Sequence, residues 1–396
     1  MSKTSKILTI ILIIVLSFSI GFFAKTSIDE YLNTLYPISQ PELSFNLLNE
    51  VYQNIQNYFF EPDKIDKDKL IYGAAAGMVE SLGDPYTTFF TPEEAKKFEE
   101  DMSGTFEGVG LQVGEKNGEI TVIAPLKNTP AQKAGILAGD KIVKINGKST
   151  EDMVLEEAVN LIRGERGTKV ILSILREGWD QSKDFEIVRD VIEVPNLELS
   201  IKDINGKKIA YLAIFQFNDR TYDDFKTITQ QIKQTSPDGI ILDLRNNPGG
   251  LLDQVEKIAG WFLEKGEIIV IEEQKGQEVS RGASNGPSTF ADMPVVVLIN
   301  QGSASGAEIL AAALRDNRQI KLIGETSYGK GTVQRLVDLS DGSSIKITIA
   351  NWLTPKGATI EGEGIKPDIE IKMTQEDIEK GIDPQLEKAE EIISQL

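Results

Sequence analysis

The chain has 396 residues, 40% of them apolar, and a formal net charge of −19. It can bury a sizeable core, but it offers no basic patch to nucleic acid or to an anionic membrane surface. It has no cysteine, which removes disulfides and thiol chemistry, and no histidine, which excludes a Ser-His-Asp triad by composition alone.

Lys3 and Lys6 precede a continuous apolar run from Ile7 to Phe23. The run is just long enough to span a bilayer, and Phe22-Phe-Ala-Lys25 is a poor cleavage site. The two lysines favour a cytoplasmic N-terminus. Residues 1–24 are therefore expected to be a signal anchor that enters the membrane through residues 7–24, with the rest of the chain outside the cytoplasm. Residues 25–103 read as a tether broken by Pro37 and Pro41, then a small helical domain. Its helices are expected over Phe45–Phe60, Leu70–Leu82 and Pro92–Phe98, the last with Thr91 as N-cap and proline at the first helical position.

Residues 104–190 have a different texture. Phe106-Glu-Gly108-Val109-Gly110-Leu111 opens the segment, and Pro130-Ala-x-x-Ala-Gly135-x-x-x-Gly139-Asp140-x-Ile-x-x-Ile-Asn-Gly147 follows. This run resembles a PDZ domain. The resemblance implies a peptide added as a strand, with its terminal carboxylate held by the N–H groups of Gly108, Val109, Gly110 and Leu111. A dinucleotide site is a poor alternative, because no helix follows Gly108-x-Gly110.

Residues 191–396 read as alternating strands and helices. Gly239-Ile-Ile-Leu-Asp-Leu244 is a buried strand running into Arg245-Asn-Asn-Pro-Gly249-Gly250, with a helix over Leu252–Glu264 and a strand over Glu267–Ile271. Lys275–Pro287, rich in Gly and Ser, reads as a surface loop. A second unit begins with the apolar run Pro294–Asn300. It continues through Gln301-Gly-Ser-Ala-Ser305, a helix from Gly306 to Asp316, the strand Ile320–Glu325, and the loop Thr326-Ser-Tyr-Gly-Lys330-Gly-Thr-Val-Gln334. Ser305 thus falls at the carboxyl end of a strand, where α/β sheets gather ligands and chemistry. Trp352–Ile371 is expected to continue the β structure, and Leu386–Leu396 to be an amphipathic helix.

Ser305-x-x-Glu308 also fits a capping box, so Ser305 has a purely structural reading. Against that reading stand the small residues around it and the helix N-terminus beside it, which suits an oxyanion. Without histidine the base would be a lysine of lowered pKa, and Lys330, between Gly329 and Gly331, is the best placed. Gly324-x-x-x-x-Gly329-Lys330-Gly331-Thr332 approaches a P-loop. That motif needs a following helix, and the sequel alternates Val and Ile with polar residues as a strand does. Ser343-Ser-Ile-Lys346 matches S-x-x-K, but on a strand those two side chains point to opposite faces.

Asn300-Gln-Gly-Ser-Ala-Ser305-Gly-Ala-Glu308 with Gly329-Lys330-Gly-Thr-Val-Gln334 resembles the carboxyl-terminal processing (tail-specific) serine peptidases of family S41. Gly83-Asp-Pro-Tyr-Thr-Thr-Phe-Phe-Thr-Pro92 is similar to the same family. The resemblance implies Ser305 as nucleophile, Lys330 as general base and Gln334 orienting it, with Gly249 or Gly250 as oxyanion donor beside Gly306. Gly306 and Ala307 depart from the family's Ser-Ala-Ser-Ala-Ser-Glu pattern and leave the nucleophile in place. Asp316 matches a position some accounts put in the site, but the far end of a helix is about 16 Å from Ser305, so it reads as structural. The fold implied is a crotonase- or ClpP-like α/β core with an inserted PDZ domain, an N-terminal helical domain and one N-terminal transmembrane segment. The function implied is a serine endopeptidase, single-pass in a bacterial cell membrane, that recognises protein C-termini and uses no metal or cofactor. Family analogy adds oligomers through the helical domain. A catalytically silent PDZ scaffold is the rival reading.

Overall fold

The protein is described by a computed structural model that covers residues 44–116, 118–126 and 128–396. The chain divides into two compact units at Ile71 and Tyr72.

In the first unit the helix Asn46–Tyr58 is amphipathic, with Leu47, Leu48, Val51 and Tyr58 exposed. In the second, the helix Pro92–Ser103 opens on a full capping box. Thr91 accepts the Glu94 N–H, Glu94 accepts the Thr91 N–H, and Gly104 closes the helix in the left-handed region.

Residues 111–188 form an antiparallel sheet. Its order is Leu111–Lys116, Glu119–Pro125, Lys141–Ile145, Lys169–Leu175, Lys183–Val188, with Lys148–Ser149 beside Lys141–Ile145. Ile120, Val122, Ile142, Ile145, Val170 and Leu172 fill its core. Leu111–Lys116 lies at an edge, next to the helix Leu155–Ile162.

The largest core belongs to a six-stranded sheet. Leu197–Ile204 pairs antiparallel with Lys207–Ile214, and the strands Gly239–Asp243, Val295–Ile299, Lys321–Gly324 and Ile369–Glu370 continue it in parallel. Gly239–Asp243 and Val295–Ile299 are buried along their whole length, as expected for parallel strands covered on both faces. The helices Thr221–Thr235, Leu252–Phe262 and Gly306–Arg318 contribute to one core with this sheet. The terminal helix Pro384–Gln395 places Ala389 and Ile393 against Ile209, Ile241, Val296, Leu298 and Ile323. A second sheet holds Thr88–Phe90, Ser344–Leu353, Ile268–Gln274, Gln277–Ala283 and Thr332–Asp338.

The expected fold class needs a correction. The described residues form a mixed α/β fold with a PDZ-like unit and an N-terminal helical region, and no described helix is long and apolar enough to cross a membrane. The longest, Thr221–Thr235, has 15 residues. At 1.5 Å per residue it reaches about 22 Å against a hydrocarbon layer of about 30 Å, and it turns Phe225 and Ile232 into the core. The span expected over residues 7–24 lies outside the described residues. Two local expectations also fail. Residues 275–287, read as a loop, contain the strand Gln277–Ala283, paired with Ile268–Gln274. Residues 354–368, read as β structure, lie outside the strands, apart from a single bridge of Thr359 to Leu353.

Candidate active site

The parallel strands Gly239–Asp243 and Val295–Ile299 end side by side, and their loops are sewn together. Asn246 N–H donates to Asn300 Oδ1 at 2.8 Å, and Asn300 Nδ2 donates to Asn246 Oδ1 at 2.9 Å. Ser303 Oγ donates to the Leu244 carbonyl at 2.8 Å, and Ala304 N–H to the Asn247 carbonyl at 2.9 Å. Ser303 is fully buried by this task, while Ser305 stays half-buried at the cleft.

Ser305 caps the helix Gly306–Arg318 with φ 52° and ψ −113°. Positive φ at a non-glycine residue costs on the order of 1–3 kcal/mol and persists only where the surroundings impose it. Gly249 is what lies against it: a Cβ on Gly249 would stand 2.7 Å from Ser305 Cβ and 2.8 Å from the Gly306 nitrogen. A Cβ on Gly250, at φ 137°, would collide with the Phe217 carbonyl. Both glycines are thus required by close approach. They differ as donors. Gly249 N–H is taken by Asn247 Oδ1 at 2.8 Å, whereas the N–H groups of Gly250 and Gly306 have no acceptor among the described residues.

Lys330 lines the same cleft as Ser305, Gly249, Gly250, Gly306 and Gln334, a cavity of about 690 Å³. Its ammonium lies 5.4 Å from the centre of the Tyr86 ring. Burial, then the neighbouring Lys346 charge, push its pKa below the ordinary lysine value, against Glu361 and Glu308. No hydrogen bond joins Lys330 Nζ to Ser305 Oγ among the described residues. Gln334 is in the cleft but not on Lys330: its Nε2 donates to Thr332 Oγ1 at 2.7 Å and to Thr348 Oγ1 at 3.4 Å.

Glu308, read from the sequence only as a capping partner, joins the two halves of the site. Its side chain is fully buried. It accepts the N–H groups of Ser305 (2.8 Å), Gly329 (2.7 Å) and Lys330 (2.9 Å), and the Ser327 hydroxyl (2.6 Å). One carboxylate therefore fixes the backbone of both Ser305 and Lys330. Glu361 holds the far side of the lysine loop by accepting Gly331 N–H at 2.8 Å. Tyr86 belongs to the Gly83–Pro92 segment, anchored as Asp84 accepts the Tyr86 N–H at 3.1 Å and Thr87 accepts the Thr348 N–H at 3.0 Å. Glu361 carries no local signal, and Tyr86 was marked only as part of the Gly83–Pro92 resemblance, because each meets Lys330 only through the fold.

The competing motifs resolve locally. Thr332–Asp338 is a strand, so no helix N-terminus follows Gly329-Lys330. Ser343 is buried and bonded to Asp341 at 2.6 Å. Asp316 pairs with Arg315 at 3.4 Å and accepts Lys356 N–H at 3.3 Å. Among the described residues no cluster of carboxylates could hold a metal ion.

In the edge-strand unit, Gly108 lies on a ladder opposite Asp190, and Leu111 begins the free edge. Between them the carbonyls of Val109 and Gly110 accept the N–H groups of Ala131 and Leu126, both at 2.9 Å. The Val109 and Gly110 N–H groups have no acceptor among the described residues. Gly110 has φ 77°, and a Cβ there would collide with Thr129.

Three family models match the sequence: peptidase family S41 over residues 208–371, the PDZ domain over 97–175, and the activating protease CtpB N-terminal domain over 26–94. The carboxy-terminal processing protease CtpA of Bacillus subtilis is 42% identical over 337 residues, 85% of this chain and 70% of that protein. CtpB of the same organism is 37% identical over 334 residues, covering 84% and 69%. Among solved structures, a photosystem II D1 C-terminal processing protease superposes with a TM-score of 0.51 at 28% identity, over 83% of this chain and 87% of that one.

Proposed function

The chain belongs to peptidase family S41 and is a carboxy-terminal processing serine protease with a PDZ domain, and from that premise we propose that Ser305 is its nucleophile and Lys330 its general base. The observation that carries this reading is a half-buried lysine, below its ordinary pKa, in one cleft with a serine held at φ 52°. Neutral Lys330 takes the Ser305 hydroxyl proton as Oγ attacks the scissile carbonyl. The N–H groups of Gly250 and Gly306 stabilise the oxyanion. The lysine ammonium then protonates the leaving amine, and the acyl-enzyme is hydrolysed by a water that Lys330 deprotonates. Gln334 follows the lysine on the strand Thr332–Asp338 and holds the Thr332 and Thr348 side of the cleft.

The base must be neutral, which fixes the sign of the pH dependence. Below the Lys330 pKa the rate should climb about tenfold per pH unit and level off above it. Labelling of Ser305 by a fluorophosphonate, followed from pH 6 to pH 10, checks this. Labelling that falls with pH in folded protein overturns the assignment of Lys330.

The PDZ unit is proposed to hold the substrate's C-terminus on the Leu111–Lys116 edge, with its carboxylate on the Val109 and Gly110 N–H groups. A peptide with an apolar tail and a free carboxylate should be cleaved several-fold faster than its C-terminal amide. Gly110→Val should abolish that preference while Ser305 still reacts with a small ester. Equal cleavage of acid and amide by the unaltered chain would show that the carboxylate is not read.

A further inference from the structure

Lys346 stands in the active cleft without a part in the reaction described above. It lies on the strand Ser344–Leu353 and lines the same cavity as Ser305 and Lys330. Its side chain is half-buried, and no ion pair reaches it among the described residues. Its ammonium rests over two aromatic rings, 5.5 Å from the centre of Phe90 and 5.7 Å from that of Phe98. Phe90 comes from the neighbouring strand Thr88–Phe90, in which Thr88 is the register partner of Lys346. Phe98 comes from the helix Pro92–Ser103. The fold therefore brings two lysines, neither in an ion pair among the described residues, into one partly dehydrated space.

We propose that Lys346 is a positioning residue for Lys330: its fixed ammonium keeps a second positive charge from settling on the base. The inference rests on Lys330 being that base. The charged and titratable groups that face Lys330 are Lys346, Glu361, Glu308 and Tyr86. Asp84 faces Lys346. Burial lowers both lysines, and Lys346 is the second cause acting on Lys330. Two ammonium groups sharing such a site titrate as a pair, and the proton leaves the worse-served one first. Lys346 has two ring faces and Asp84 in its favour. Lys330 has one ring, and the carboxylates near it are already engaged, Glu308 by four donors and Glu361 by Gly331. The charge thus stays on Lys346, and Lys330 gives up its proton.

The test is the pH profile of kcat/KM on a small peptide ester, which does not need the PDZ groove, measured on the intact chain and its variants. Lys346→Met should move the acidic limb to higher pH. Each unit of that shift removes about tenfold of the rate at pH 7, and the loss should close once the pH exceeds the new limb. Lys346→Arg, which keeps the charge, should leave the limb near its original place. Lys346→Gln serves in place of the methionine variant if that chain does not fold, as judged by thermal melting. A loss of equal size at every pH, or an unmoved limb in the neutral variants, overturns the proposal. Lys330→Ala measured alongside separates the two levels of the argument. If it is inactive while the neutral variants keep the original limb, only the role of Lys346 fails. If it retains the original rate, the assignment of the base itself fails.

Discussion

Ser305→Ala and Lys330→Ala are each expected to remove about 10⁴- to 10⁶-fold of kcat, and the double variant to be no worse than either. The non-additivity is the informative part. A nucleophile and its base act in one proton transfer, so once either is gone the other has nothing left to contribute. What remains is the activity of the proposed oxyanion site, the Gly250 and Gly306 N–H groups, without a working nucleophile. Single-turnover rates on one peptide, for all four proteins at a pH where lysine is neutral, decide the matter. If the two losses multiply, Lys330 acts elsewhere than on Ser305. Near-original turnover by Lys330→Ala would place the base on another residue.

The second large effect is expected at Glu308, which touches no substrate. Its buried carboxylate accepts four donors, two of them the backbone N–H groups of the proposed nucleophile and base. Glu308→Gln keeps the shape but puts an NH₂ group where N–H groups already point. Orphaned buried donors cost about 1–3 kcal/mol each, so a destabilisation of about 3 kcal/mol and a Tm drop on the order of 5–10 °C are expected. At a temperature well below that transition kcat should still fall by about 10²-fold, because a displacement of about 1 Å at reacting groups costs that much. KM for a small ester should change little. A variant with the original Tm and kcat would show that Ser305 and Lys330 are positioned without Glu308.

Both predictions turn on how differently the parts of this site are written in the chain. Ser305 and Lys330 each lie at a strand end marked by glycine and small residues, a local and contiguous signal. The runs Gly239–Asp243 and Val295–Ile299 are apolar throughout because both faces are covered, so those strands could be placed from composition. In the hairpin of Ile268–Gln274 with Gln277–Ala283, the first strand was legible over Glu267–Ile271 and the second was not. Its second strand is mostly exposed and polar, and its order comes from pairing through Ile268–Gln274 with the distant Ser344–Leu353. The membrane segment expected over residues 7–24 lies outside the described residues, none of whose helices is long and apolar enough to cross a membrane.

The sequence by itself determined the chemistry available to this protein. Without histidine or cysteine, a lysine is the base proposed for the serine, and the Gly-rich strand ends with the family resemblance point to Ser305 and Lys330. Only the tertiary structure decided the surroundings of the proposed base. The Glu308 carboxylate binds two loops at once, Tyr86 roofs the Lys330 ammonium from a segment far earlier in the chain, and Lys346 enters the cleft through strand register. The physical reason is that residue type and spacing specify groups that act alone, whereas burial and through-space charge depend on which segments the packed sheets bring within a few ångströms of each other.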